Sequence, residues 1–300
     1  MINIFKRRKI LVTHNGAFHA DDVFACATLQ LLLEKRGEVY KVVRSRDEVD
    51  FARGDFVFDV GGIYDAEKNR FDHHQVGGAG KRDNGVSYAA FGLVWKSFGE
   101  ELSGSKILAD EIEKSFVVPI DAHDNGEKIF ELDDRDIEPV EISKVVSIFN
   151  TTWKEDSKTN NSNFFKLIPV AKEILKRFIK RASDKLEGQK HVEEAYENAR
   201  DKSVIVLEDN WSWQKVLKEK PDTLYVVYPS HIGNWHAQAV EEEMFKPRKM
   251  FPNSWAGLRD EEFQNISGVS DGVFAHPKRF LVGAKSREGA IKLAKKALNS

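Results

Sequence analysis

Along the first sixty residues, short apolar runs alternate with one long apolar block. "KILVTH" (9–14) is a run of strand type, and "ADDVFACATLQLLLEKRG" (20–37) predicts a helix. Its acidic residues fall in the first turn and Gly37 stands where a left-handed residue would end it. "VYKVVRS" (39–45) and "DFVFDV" (55–60) read as further strands, the second closing on Gly61-Gly62. Strand, helix, strand in that order predicts a parallel sheet with helical crossovers. Helical spacing returns in "SYAAFGLVWKSFG" (87–99) and "SKILADEIEKSFVVPIDAHD" (105–124).

Residues 151–163, "TTWKEDSKTNNSN", are polar and rich in Asn and Ser, which reads as a linker. From Phe164 the apolar positions 164, 167, 168, 171, 174, 175, 178, 179, 182 and 186 keep three-to-four spacing, the mark of a long amphipathic helix. Its other face carries Lys172, Lys176, Lys180, Arg181 and Lys185, read as a solvated face in preference to a nucleic-acid stripe. Beyond 201 the pattern changes to strands in "SVIVLED", "TLYVVYPS", "NWHAQAVEEE" and "RFLVGAK", then a closing helix in "SREGAIKLAKKAL" with Ser286 as its N-cap. The expected organisation is an α/β domain over 1–150, a linker and connecting helix over 151–200, and a smaller α+β domain over 201–300.

Composition changes this picture little. The 300 residues are 41% hydrophobic and 31% charged with a net charge of −2, so any polyanion site must be a local patch. Cys26 is the only cysteine, which excludes an intrachain disulfide, fits a reducing compartment, and reads as a buried structural thiol. "MINIFKRRKILVTH" lacks the apolar stretch of a signal peptide, and no apolar run approaches the ~18–20 residues that span a bilayer. A cytoplasmic protein without membrane partners is the expectation.

Four segments of the first half concentrate His and Asp. "THNGAFHADD" supplies His14, His19, Asp21 and Asp22, "FDVGG" supplies Asp59, "FDHH" supplies Asp72, His73 and His74, and "PIDAHDNG" supplies Asp121, His123 and Asp124. Singly, each has a structural reading: His14 satisfying a turn, Asp59 capping the Gly-Gly turn, Asp72 pairing with a lysine, Asp124-Asn125-Gly126 making a turn. Together they are harder to set aside. His14 and Asp59 fall at the carboxyl ends of strands, where open parallel sheets bind ligands. Even seven of these imidazole and carboxylate groups meeting at one sheet edge would be strongly disfavoured unless cations neutralised them. That predicts a metal site and, from the number of ligands, one with two divalent ions. Mixed imidazole and carboxylate donors suit Mn²⁺, Co²⁺, Zn²⁺ or Fe²⁺ better than Mg²⁺. The spacings of zincin proteases, P-loops, Rossmann folds and serine-hydrolase elbows are absent.

The order H…H-x-D, D-x-G, D-H-H and a later Asp resembles the DHH phosphoesterase superfamily, which includes family II inorganic pyrophosphatases and RecJ-type exonucleases. More closely, "THNGAFHADDVFACA", "DVGGIYD", "RFDHHQ", "DAHDNG", "WHAQAV", "FPNSWAGLRDEEF" and "SREGA" resemble the melanocyte-proliferating-gene (Myg) family from about residue 9 to about 298. The resemblance implies a DHH-like parallel sheet with helices on both faces and a C-terminal substrate-binding domain. It implies that His14 and His19 hold one metal, that Asp21, His73 and Asp121 hold the other, and that Asp59 bridges them. Asp72 would orient His73, and His74 would meet the leaving group. Departures are His19, where most of the superfamily has Asp, the His236-Ala237 pair before Gln238, and the ending "HPKRFLVGAK".

The implied chemistry is a metal-dependent phosphodiesterase, Mn²⁺ its first-choice ion and Co²⁺, Zn²⁺ or Mg²⁺ the alternatives. The expected substrate is RNA or a short single-stranded oligonucleotide, degraded 3′→5′. Candidate substrate contacts are Lys81, Arg82, Gln238, Arg248, His276 and Lys285, with Arg259 as a catalytic cation or, equally, a salt-bridge partner of Asp260 or Glu261. Trp211, Trp213, Trp235 and Trp255 could stack bases, though core packing is the better reading of each. A pyrophosphatase-like hydrolase of small phosphoesters and an inactive nucleotide-binding module are the rival functions. A homodimer stays open.

Overall fold

The computed structural model describes residues 7–131, 135, 137–243 and 246–300. The chain divides into two units, Met1–Ala182 and Ser183–Ser300. In the first unit the elements run β1 (Lys9–Thr13), α1 (Ala20–Lys35), β2 (Tyr40–Arg44), α2 (Glu48–Arg53), β3 (Phe56–Phe58), β4 (Tyr64–Asp65), β5 (Arg70–Phe71), α3 (Ala90–Ser103), α4 (Lys106–Ile112), α5 (Val118–Asp124) and α6 (Ile142–Ser147). The first part of α7 (Thr159–Asn198) completes it.

The sheet order is β2-β1-β3-β5-β4. β1 pairs in parallel with β2 and β3, and β3 with β5, while only the edge strand β4 runs antiparallel. Side chains alternate across it as a pleat requires. Leu11, Phe56 and Phe58 enter the large core with α1, α3, α5 and α7, whereas Val12 and Val57 face a smaller cluster closed by Phe51 of α2. The expected parallel α/β layout with helices on both faces is therefore present.

Every residue of α1 from Ala20 to Leu33 is buried, which is why its sequence shows no polar stripe. Gly37 follows the helix at φ +64°, as its position implied. The helix expected over 105–124 is split by a π-helical turn at Glu113–Val117, just before Pro119 of α5. Proline brings no N–H to the ladder, and the wider turn accommodates the missing bond.

The polar tract 151–163 is no free linker, because its last five residues already belong to α7. Asn150 accepts from the Phe18 N–H at 2.9 Å and donates to the Phe18 carbonyl at 2.7 Å, and Asn160 accepts from Thr151 N at 2.7 Å. These amides tie the segment to the loop after β1.

The second unit carries β6 (Val204–Val206), α8 (Gln214–Lys218), β7 (Tyr225–Pro229), β8 (Trp235–Ala239), β9 (Glu241–Glu243), β10 (Lys246–Pro247), α9 (Asp260–Ser267), β11 (Gly272–Ala275), β12 (Leu281–Ala284) and α10 (Arg287–Leu298). Its five-stranded sheet, β11-β12-β8-β7-β6, is antiparallel except for β6 with β7. The Ser286 hydroxyl accepts from Gly289 N at 3.0 Å, the expected cap of α10. β11 and α9 had no clear signature in the sequence.

Cys26 lies in α1 with no exposed surface, and burial pushes its thiol up to about 12. The native protein is expected to give no reaction with a thiol-specific disulfide reagent at pH 8 and one equivalent after denaturation. Rapid modification of the native form would contradict this packing.

Candidate metal centre

Three neighbouring parallel strands end at one edge of the sheet. β1, β3 and β5 stop at Thr13, Phe58 and Phe71, and the next residues are His14, Asp59 and the run Asp72-His73-His74. β1 lies between β2 and β3, so this is the edge where the connections diverge and a crevice opens. The start of α1 adds His19, Asp21 and Asp22, and the last turn of α5 adds Asp124. Asp59 is held at φ +53°, an unfavourable conformation for a residue with a Cβ, while its N–H bonds the Phe71 carbonyl at 3.1 Å.

The polar atoms converge on Asp59. His14 Nε2 is 3.1 Å from Asp59 Oδ2 and 3.3 Å from Asp22 Oδ2. His73 Nε2 is 3.4 Å from Asp59 Oδ1 and 3.3 Å from Asp124 Oδ2, and His19 Nδ1 is 3.8 Å from Asp124 Oδ1. Donor atoms lie within 4.8 Å of one another in three sets: His14, His19 and Asp59; Asp21, His73 and Asp124; and Asp59, Asp72, His73 and His74. Asp59 belongs to two of them and so does His73. Among the described residues, Asp22 Oδ2, Asp59 Oδ1 and His73 Nε2 are buried without any hydrogen-bond partner. Buried polar atoms rarely stay unpaired, and a divalent cation is a partner that carboxylate and imidazole can share. These residues fit divalent metal.

Two carboxylates at the centre are also held by the start of a helix. Asp21 accepts from Phe91 N at 2.6 Å and Ala90 N at 3.0 Å, and Asp121 accepts from Gly92 N at 3.0 Å. Both sit on the positive N-terminal end of α3, whose own N-cap residue, Ala89, has no side chain to serve it. A Cβ at position 92 would collide with the Asp121 carboxylate, so that approach requires glycine.

The family model MYG1_exonuc, described as an uncharacterised protein family (UPF0160), matches residues 10–298. The chain belongs to this family. The MYG1 protein of Dictyostelium discoideum is 31% identical over 321 residues, covering 96% of each chain. The MYG1 exonuclease of Homo sapiens is 30% identical, covering 95% of this chain and 85% of its own. The Mn²⁺ complex of RecJ from Thermus thermophilus aligns over 97% of this chain and 52% of that one, about half its length. Identity there is 13% and the TM-score 0.28, a likeness too slight to carry an argument.

Within this MYG1-family chain the expected roles are partly redistributed. His14, His19, Asp21, Asp59 and His73 all join donor sets, but Asp121 joins none. Its second oxygen takes Arg82 Nη2 at 2.7 Å, and Asp124, read from the sequence as a turn residue, stands at the centre instead. Asp72 does not hold the His73 ring. Its Oδ1 takes His74 Nδ1 at 2.7 Å and the backbone N–H groups of His73 and His74 at 2.8 and 3.2 Å, so it orients His74.

Arg82 is buried between Asp121 and Glu113, at 2.7 Å from each, and lies 4.0 Å over the Tyr88 ring. It is a structural clamp, whereas Lys81 is exposed, 4.0 Å from Glu127. In the second unit the Arg248 guanidinium is consumed by the carbonyls of Leu217, Lys218, Lys220 and Thr223 at 2.6–3.2 Å. Gln238 accepts from the Tyr228 hydroxyl at 2.6 Å, and Arg259 lies 5.9 Å over Phe274. His276 accepts from Lys278 N at 3.1 Å and borders a cavity of about 720 Å³, while Lys285 is exposed beside the start of α10. Trp213 and Trp255 are buried in the core of that unit.

Charge is finely balanced at the centre. Burial pushes Asp22 up to about 7 against the pull of His14. Burial, then the charges of Asp124, Asp59 and Asp121, raises Asp21 well above the usual carboxylate range. Asp59 goes the other way: burial opposes its ionisation, but His14 and His73 outweigh it. Burial works to lower His73, yet Asp124 and Asp59 hold it up at about 11. A carboxyl raised in the folded state stabilises the fold below its ordinary value near about 4. For Asp22 that contribution is lost as pH climbs through about 7, and for His73 the corresponding loss spans about 6.5 to about 11.

Metal must displace these protons, so its stabilising effect grows with pH. The rise in melting temperature on adding Mn²⁺ is expected to be larger at pH 7.5 than at pH 5.5. Asp124→Ala is expected to weaken Mn²⁺ binding by at least about tenfold, read by calorimetric titration. Unchanged affinity would remove Asp124 from the centre.

Proposed function

We propose that this chain is a metal-dependent phosphodiesterase, a 3′→5′ exonuclease on single-stranded RNA or short oligonucleotides, working with two divalent ions, Mn²⁺ foremost. The observation that carries this reading is the sharing of the buried Asp59 between two donor sets, one with His14 and His19 and the other with Asp72, His73 and His74. The chain is a hydrolase by family, and its relatives in Homo sapiens and Bos taurus are named exonucleases. Two ions held there would supply Lewis acidity at phosphorus and acidify a water toward neutrality.

The protein's own groups do the rest. Asp59, pinned by strand ends on both sides, keeps its carboxylate ionised and in place for both sets. His14 and His73 present Nε2 toward it at 3.1 and 3.4 Å. His74 is the proton donor for the leaving oxygen. Its Nδ1 is committed to Asp72, which raises its affinity for a proton, and 62% of its side chain is exposed, so Nε2 can face a substrate. Asp72 in turn is fixed by Gly62 N at 2.5 Å as well as by the two histidine N–H groups. The crevice beside these residues holds about 740 Å³, within the range of small-molecule pockets, which favours hydrolysis of a small phosphoester as the second reading.

A 5′-labelled single-stranded RNA incubated with Mn²⁺ separates the readings. Stepwise shortening by the wild type and none by Asp59→Asn is the expected result. Intact RNA together with hydrolysis of small phosphoesters would move the function to the second reading. His74→Ala is expected to lower kcat about 10²–10⁴-fold with its Mn²⁺ content retained. Retained kcat would remove His74 from proton donation, whereas no metal-stimulated turnover by the wild type would leave a binding module.

A further inference from the structure

The crevice that bears His14, His19, Asp59, Asp72 and His74 is also lined by Arg46, to which neither the metal centre nor the proton donor gives a task. Among the described residues it is the one arginine or lysine lining a pocket whose other ionisable groups are carboxylates and imidazoles.

Its position is built. β2 ends at Arg44, beside the β1 end that carries His14, and Ser45 N bonds the Thr13 carbonyl at 2.8 Å. Asp47 N then bonds Ser45 Oγ at 3.1 Å, and Asp47 Oδ1 caps α2 by accepting from Val49 N at 2.8 Å. The adjacent Asp47 carboxylate thus turns one oxygen to the helix start, and it makes no ion pair with Arg46. Among the described residues no side chain forms a hydrogen bond or ion pair with the Arg46 guanidinium.

Arg44, two residues earlier, shows the contrast. It bonds the His14 and Gly16 carbonyls at 3.1 Å each and stacks 4.4 Å from the Phe164 ring, so it braces the loop. Arg46 adds a second positive charge close enough to oppose that of Arg44. An exposed guanidinium at a crevice rim with no acidic partner is available to an anion from outside, and its planar fork fits a phosphate oxygen pair.

We propose that Arg46 anchors a phosphate of the bound strand other than the one being cleaved, and so selects substrates with at least two consecutive phosphodiesters. The proposal rests on the phosphodiesterase reading above and deepens it. The scissile phosphate is the business of the metal ligands and His74, and a neighbouring phosphate brought into the same acidic crevice needs its own counter-charge. Arg46 provides that charge, and a single small phosphodiester never engages it.

The test compares wild type, Arg46→Ala and Arg46→Lys in Mn²⁺ on two substrates, a uridylate pentamer and bis(p-nitrophenyl) phosphate. Arg46→Ala is expected to lower kcat/KM for the pentamer about tenfold, through KM, and to lower that for the single phosphodiester far less. Arg46→Lys should recover part of the loss, since it restores charge without the fork. Equal losses on both substrates, or a loss confined to kcat, overturn the anchor. A binding measurement keeps the two readings separable. In a His74→Ala background, anisotropy of a labelled pentamer should show about tenfold weaker binding when Arg46→Ala is added, with the difference shrinking in high salt. Equal affinity overturns the anchor whatever the turnover results. No wild-type turnover of either substrate, with the binding difference intact, overturns the phosphodiesterase reading and leaves the phosphate contact standing.

Discussion

Asp21, Asp22, Asp59, Asp72 and Asp121 are all buried, together with His14 and His73, and this concentration of ionisable groups dictates much of the first unit. Burying one unpaired carboxylate is expensive, and burying five near one another is worse by mutual repulsion. The protein divides the problem. Asp21 and Asp121 are laid on the N–H groups that open α3, where the helix end is positive. Arg82 neutralises Asp121 from its other side, and Asp72 is wrapped by three backbone N–H groups and the His74 ring. What is left over, Asp22 Oδ2, Asp59 Oδ1 and His73 Nε2, is buried without a hydrogen-bond partner among the described residues, a need that a divalent cation would meet.

Several features that look incidental follow from this division. Glycine at 92 lets α3 reach Asp121, and the π-helical turn ahead of Pro119 lies just before the helix that brings Asp121 and Asp124. The unfavourable φ of Asp59 occurs between the end of β3 and the Gly61-Gly62 turn, where its N–H is bonded to the Phe71 carbonyl. Arg44 and Asn150, far apart in sequence, grip the loop from His14 to Phe18 from two sides. The loop that presents His14 and leads to His19 is thereby held in place by both side chains, which lowers the entropic cost of binding a metal.

Much of the centre was legible because strand ends are legible. His14 and Asp59 each directly follow an apolar run, and in a parallel sheet such positions share one edge whatever the details of packing. The D-H-H run was conspicuous by composition, but which residue of the three it orients was not. Asp72 bonds His74 and not the ring of His73, a choice made by side-chain torsions that local spacing does not constrain. Asp121 and Asp124 lie three apart on one helix, nearly the same face, so the pattern could not separate the residue that caps α3 from the residue that meets His73. Arg82 looked like an anion contact because it sits in a glycine-rich loop, and only the fold puts Glu113 and Asp121 beside it.

The amino-acid sequence by itself determined the alternation of strands and helices, the buried α1 and the family, because these rest on hydrophobic periodicity and on short ordered motifs. It also determined that metal chemistry was at stake, since so many imidazoles and carboxylates near strand ends have few other uses. Tertiary structure alone decided that Asp124 joins a donor set while Asp121 is taken by a helix end and an arginine. It alone left Arg46 at the crevice with no ion-pair partner among the described residues. The division falls there for a physical reason: burial and periodicity are properties of the chain read locally, whereas hydrogen-bond commitments are settled between residues that meet only when the chain is folded.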